Sequence, residues 1–176
     1  KRIQPHIMCG PGDIAEYVLL PGDPQRVKLI VEHFDECRKV AENREFITYT
    51  GTYRGIPVSA TSTGIGGPSA SIAVEELANI GAKVFIRVGT TGSLQPDIDV
   101  GEIVIAVAAV RSDGTSRCYI PLEYPAVADY NVVLALVRAS KQLGVDPHVG
   151  IVWSYDAFYA ESQEKINMWN KSRVLS

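Results

Sequence analysis

What most constrains this chain is a set of short apolar runs, several of them ending on a turn that carries glycine and leading into a helical pattern. Tyr17-Val18-Leu19-Leu20 runs into Pro21-Gly22-Asp23-Pro24. Asp23 can cap a helix beginning at Pro24, with Val27, Leu29, Ile30 and Phe34 on its apolar side. Phe46 to Thr63 holds two β-rich runs around Arg54-Gly55, which predict a hairpin with a turn longer than two residues. Gly64-Ile65-Gly66-Gly67-Pro68 then opens a helix with Ile72, Val74, Leu77 and Ile80 as apolar positions and Gly81 as its stop. Val84-Phe85-Ile86-Arg87-Val88 reads as a strand buried on both faces, ending in Gly89-Thr90-Thr91-Gly92. Ile103 to Val110 is a second buried strand. Asp129 to Leu143 is a helix with Val132, Val133, Leu136 and Val137 on one side, and Val149 to Trp153 is a last strand. Strands alternating with helices, plus one hairpin, predict an α/β fold with a mixed central β-sheet flanked by helices.

No repeat, low-complexity tract or linker interrupts the 176 residues, so 1–176 reads as a single domain. The longest apolar run, Ile103 to Val110, is far short of the roughly 20 residues a membrane-spanning helix needs. Lys1 to Gly12 has no apolar core of signal-peptide length. A cytoplasmic protein with no membrane partner is expected. Seventeen basic residues against twenty acidic ones, net −3, exclude a wholesale nucleic-acid binder but leave room for a local basic site. Cys9, Cys37 and Cys118 form no C-x-x-C pair and suit a reducing compartment better than a disulfide framework or a zinc site.

Two strand-to-loop junctions combine glycine with positive charge. At the first, Gly22 lets the backbone turn closely, and Arg26 sits in the opening turn of a helix, where it opposes the dipole unless an anion is bound. At the second, Arg87 lies in an otherwise apolar strand two residues before Gly89. A buried guanidinium needs an opposite charge, supplied by an internal carboxylate or by a ligand. Two such junctions at strand C-termini favour a shared oxyanion, and phosphate matches the guanidinium fork. Other motifs fail. Gly67-Pro68-Ser69-Ala70-Ser71 is not a G-x-S-x-G elbow, and no G-x-x-x-x-G-K-[ST] loop is present. His6, His33 and His148 lack metal-ligand spacing.

Six motifs occur in order: Pro21-Gly22-Asp23-Pro24-x-Arg26, Asn43-Arg44-Glu45-Phe46, Ser62 to Ser69, Arg87 to Gly92, Val110-Arg111-x-Asp113-Gly114 and Pro121 to Asp129. Together they resemble the nucleoside phosphorylase family whose members assemble as trimers of dimers, and most closely its uridine-cleaving branch. The resemblance implies that phosphate attacks the anomeric carbon of a nucleoside, releasing the base and forming ribose 1-phosphate. Phosphate is then a co-substrate and no cofactor is required. The resemblance gives Gly22, Arg26, Arg87 and Thr90 to phosphate, with Arg87 and Thr90 as the catalytic pair, and brings Arg44 to the same phosphate from a neighbouring subunit. It brings His6, also from the neighbour, to the 5′-hydroxyl, and implies nucleoside contacts from Thr91, Gly92 and Phe158. Gln163 and Lys165 stand as counterparts of the residues that read a pyrimidine, offset by one position and with Lys in place of Arg. Glu45, Ile65 and Ser69 match positions that hold a monovalent cation, with potassium as the expected ion.

A homohexamer follows from the same resemblance, as does a chain that stops before the family's C-terminal part, where a Met-Glu segment binds the ribose hydroxyls. Phe158-Tyr159-Ala160-Glu161 instead resembles some methylthioadenosine phosphorylases. A purine nucleoside or methylthioadenosine phosphorylase is therefore the alternative. A water-using nucleosidase and a non-catalytic nucleoside-binding module are the remaining readings.

Overall fold

The structure is a computed structural model that describes residues 2–176. The chain divides into two compact units, one ending at Thr90 and the other running from Thr91 to Ser176. Among the described residues no helix is long and apolar enough to cross a membrane.

The first unit is built on five strands: β1 (Tyr17–Pro21), β2 (Glu36–Asn43), β3 (Phe46–Tyr53), β4 (Ile56–Thr61) and β5 (Val84–Val88), in the order β2-β3-β4-β1-β5. β1 runs parallel to β4 and β5, while β2, β3 and β4 form an antiparallel meander. Alternation along the strands sends side chains to two cores. Val18, Leu20 and Phe46 join Ile7, Cys9, Ala73 and Leu77 beneath helix α2 (Gly67–Asn79). Leu19 and Ile47 join Val27, Val31 and Ala60 beneath helix α1 (Pro24–Val31). Asp23 caps α1 as its sequence position requires, accepting from Gln25 N at 2.8 Å.

Several local expectations are corrected. Leu29 points to solvent, because Val27 and Val31 carry the buried stripe of α1. The β3–β4 turn is the two residues Arg54-Gly55, both at positive φ (+50° and +77°), with Tyr53 paired to Ile56. That geometry matches the right-handed twist of the strands and needs no longer loop. β5 is not buried on both faces, because it lies at the end of the sheet order and its residues are half-buried or exposed.

Hydroxyls pair within the β3–β4 ribbon. Thr48 Oγ1 meets Thr61 Oγ1 at 3.0 Å and Thr50 Oγ1 meets Ser59 Oγ at 2.8 Å, each between partners in register.

The second unit has a three-stranded sheet, β7 (Ala126–Val127), β6 (Val104–Ser112) and β8 (His148–Tyr155), in that order, with β6 and β8 parallel. Helices α3 (Ser116–Tyr119), α4 (Tyr130–Gln142) and α5 (Gln163–Lys171) complete it. Asp129 caps α4, accepting from Asn131 N and Val132 N, and Gly144 follows its end at φ +73°. In β6 only Ile105 is buried, so the expected buried strand is a mostly half-covered one in a narrow sheet. Mixed sheets with flanking helices form the α/β architecture that the alternating pattern predicts.

Candidate functional site

The parallel register sets Leu20 opposite Arg87 and Pro21 opposite Val88, so the two glycine-bearing loops leave from adjacent strand ends. Arg87 Nη1 donates to Leu20 O at 2.9 Å and to Val88 O at 3.1 Å. Arg26, from the first turn of α1, reaches the same Val88 O at 3.5 Å. Gly22 leaves room for Arg87: a Cβ there would stand 3.1 Å from Arg87 Nη2 and 3.2 Å from Gly64 O. Thr63 N donates to Pro21 O and Gly64 N to Gly22 O, both at 2.9 Å, which ties the glycine-rich loop to the first junction.

Neither Arg26 nor Arg87 forms an ion pair with a carboxylate among the described residues. The buried guanidinium expected at Arg87 is instead exposed, because it sits one residue from the end of β5, where the strand gives way to Gly89. Its partners are carbonyls rather than a carboxylate. Partial withdrawal from water, and then the neighbouring Arg26, lower the Arg87 pKa, but a guanidinium keeps its charge at neutral pH. Two like charges converging without a counter-charge form a ready anion cradle.

A second group gathers around the N-terminal segment. His6 N donates to Glu76 Oε2 at 3.0 Å, Ile7 N donates to the same oxygen at 2.9 Å, and His6 Nδ1 lies 2.5 Å from Glu76 Oε1. Asn43 Nδ2 donates to His6 O at 2.7 Å. Arg44 follows Asn43 in the β2–β3 turn at φ +54°, exposed to solvent. No hydrogen bond or ion pair joins this group to Arg26 or Arg87 among the described residues. Sequence patterning missed Glu76, and placed Asn43 in a motif without giving it a role. The signal for Glu76 was a carboxylate beside Leu77 and three residues after Ala73, on the buried stripe of α2.

Glu45 and Ser69 flank Gly64. A Cβ at Gly64 would meet Glu45 Cγ at 2.7 Å and Ser69 Oγ at 3.2 Å. Ser69 Oγ donates to Ile65 O at 3.2 Å. The Ser69 hydroxyl and the Ile65 carbonyl thus lie together beside the stem of Glu45, and carboxylate, hydroxyl and carbonyl are donor types that suit a hard cation.

The remaining candidates are spread more widely. Thr90 ends the first unit, and Thr91 and Gly92 begin the second, all three exposed in irregular backbone. Phe158 is 78% exposed, with the Tyr159 ring edge-on at 5.1 Å. Gln163 and Lys165 lie on the first turn of α5. Gln163 Nε2 donates to Asn167 Oδ1 at 3.0 Å, and Lys165 Nζ sits 4.7 Å from the centre of the Tyr155 ring. Arg111, in another of the motifs, donates to the carbonyls of Ile120, Pro121 and Tyr124 and so orders the loop ahead of β7.

Several known proteins are similar to the chain over most of its length. The chain is 59% identical over 159 residues to a uridine phosphorylase of Thermococcus kodakarensis, covering 90% of this chain and 57% of that protein. It is 48% identical to the uridine phosphorylase of Escherichia coli, covering 89% of this chain and 61% of the relative. A guanosine phosphorylase of Halorubrum lacusprofundi is 44% identical, with 98% of this chain and 72% of that protein covered. The crystal structure of uridine phosphorylase from Vibrio fischeri superposes with a TM-score of 0.94 at 40% identity, over 98% of this chain and 72% of that one. The chain thus spans about three fifths of the length of its uridine phosphorylase relatives. The sequence profile of one family covers residues 16–175, through both units: the chain belongs to the Phosphorylase superfamily.

Proposed function

We propose that the protein cleaves a nucleoside with phosphate, uridine being the favoured substrate, to yield the free base and ribose 1-phosphate. The observation that carries this is the convergence of Arg26 and Arg87 on Val88 O with no carboxylate partner, beside a glycine that fits against Arg87. In the reaction a phosphate oxygen forms a bond to C1′ as the C1′–N bond breaks. The bonding pair leaves with the base, which then takes up a proton. The ribosyl group is cation-like at the transition state, so a held phosphate dianion serves as nucleophile and as electrostatic stabiliser. Gly22, Arg26, Arg87 and Thr90 hold the phosphate, and Arg44 reaches it from a second subunit. His6 of that subunit meets the 5′-hydroxyl, and Thr91, Gly92 and Phe158 contact the nucleoside.

For the base, Gln163 turns from Asn167 to present its amide to uracil, whose adjacent N–H and C=O it can match. Lys165 stabilises the charge developing on the departing ring. Glu45, Ile65 and Ser69 hold a potassium ion, whose role is to fix the start of α2. The assembly is a cytoplasmic hexamer, a trimer of dimers, in nucleoside salvage. The engagement of Gln163 with Asn167 and the similarity to a guanosine phosphorylase favour a purine nucleoside as the second reading. Turnover of uridine and of inosine, each with and without phosphate, tests both. Uridine cleavage that depends on phosphate is the expected result, faster inosine cleavage transfers the assignment to purines, and cleavage without phosphate ends the phosphorylase reading.

A further inference from the structure

His6 is held at every polar atom but one. Its N–H and its Nδ1 engage Glu76, and its carbonyl accepts from Asn43. Only Nε2 has no partner among the described residues, and the side chain is 41% exposed. Glu76 itself is 7% exposed, on the buried stripe of α2 among Ala73 and Leu77. A carboxylate is costly to bury unless its oxygens are satisfied, and packing alone would be served better by an apolar residue. The two backbone N–H groups of His6 and Ile7 account for Oε2. Oε1 is directed at the imidazole.

We propose that Glu76 is the positioning residue of His6: it holds the imidazole proton on Nδ1 and fixes the ring so that Nε2 faces outward as the acceptor for the 5′-hydroxyl hydrogen of a nucleoside. This rests on the role given to His6 above. An ionised carboxylate only accepts, so the atom it meets at Nδ1 must carry hydrogen, and in neutral imidazole the lone pair then falls on Nε2. Asn43 anchors the carbonyl of the same residue and so fixes the backbone from which the ring projects. The arrangement spares the ordering cost that a free histidine would incur when substrate binds.

Glu76→Gln separates this from a purely structural role. The amide oxygen still accepts from the backbone N–H groups, whereas its NH2 faces Nδ1 as a donor and drives the imidazole proton to Nε2. In protein labelled with 15N-histidine, with His33 and His148 replaced by Gln to leave one signal, the native protein is expected to show Nδ1–H and the Glu76→Gln protein Nε2–H. With uridine, Glu76→Gln is expected to raise KM about tenfold with kcat changed less than twofold. Against 5′-deoxyuridine the substitution should have no effect, and adding it to His6→Ala should cost nothing more. Glu76→Asp, which keeps the charge, should retain Nδ1–H and recover part of the KM. An unchanged tautomer in Glu76→Gln overturns the proposal, as does an equal loss on both nucleosides. If His6→Ala fails to distinguish uridine from 5′-deoxyuridine, the role of His6 falls, while the tautomer still judges Glu76.

Discussion

Gly22 and Arg87 fit against each other so closely that a methyl group at Gly22 would stand 3.1 Å from Arg87 Nη2, with Gly64 O closing the other side at 3.2 Å. The glycine thus sets where the guanidinium lies. Gly22→Ala is expected to displace Arg87 while leaving the fold intact, raising the phosphate KM about tenfold, equivalent to ~1.4 kcal/mol. Steady-state kinetics with phosphate varied would show it, and an unchanged KM would mean that Arg87 has room to spare.

Arg87 should matter more to rate than Arg26. Two carbonyls within 3.1 Å hold Arg87, whereas Arg26 has a single contact at 3.5 Å. Loss of a preorganised charge donor lowers kcat by roughly 10²–10³. Arg87→Ala is expected in that range, Arg26→Ala below it, and Arg87→Lys should rescue little because an ammonium lacks the planar fork. Full activity in Arg87→Ala would reduce this arginine to a clasp between two strand ends.

Much of the fold was legible because local chemistry and tertiary structure agree. Asp23 and Asp129 each precede an apolar helical stripe, and each caps the helix it announces. β2 escaped notice because Glu36-Cys37-Arg38-Lys39 is largely exposed, as suits a strand at the end of a sheet that must discourage further pairing. The Arg54-Gly55 turn was read as too long, since arginine at positive φ is uncommon and the usual two-residue signal is Asn-Gly. The convergence of Arg26 and Arg87 was visible as two Arg-Gly junctions because parallel neighbours bring sequence-distant strand ends together. The one local mark of Glu76 is a carboxylate on the apolar stripe of α2, and nothing nearby in sequence names its partner, which lies 70 residues away.

Asp113 gives a handle on acid stability. Burial pushes its carboxyl up, but the Ser116 N–H at 2.6 Å and the Ser116 hydroxyl at 2.8 Å, with further backbone N–H groups, outweigh that and leave its pKa lowered. A carboxyl whose folded pKa is depressed contributes stability above its unfolded value, near 3.9, and loses it as pH falls through the folded one. The stability difference between the native protein and Asp113→Asn should be constant above about pH 5 and shrink on acidification below the unfolded pKa. Urea unfolding across pH measures it, and a difference that grows toward low pH would reverse the sign.

Removing one hydroxyl of the Thr48–Thr61 pair should hurt more than removing both. Both residues are fully buried, so Thr48→Val strands the Thr61 hydroxyl at a cost of about 1–3 kcal/mol. The double change to Val leaves an apolar pair and should recover most of the loss. Additive losses in a denaturant-based double-mutant cycle would count against the pairing.

The same hydroxyls, together with the turn, act as two keys cut for a single alignment of β3 on β4. A slip of two residues one way sets Thr50 opposite Pro57 and moves the turn onto Tyr53-Arg54, and a slip the other way places Ile56 in the turn. Each such error displaces β4 by about 6.6 Å along its axis. Thr63 and Gly64, which grip Pro21 and Gly22, follow β4 after Ser62 and would be carried off with it. The accuracy of an anion cradle at one end of the strand is therefore enforced by a solvent-facing hairpin tip at the other.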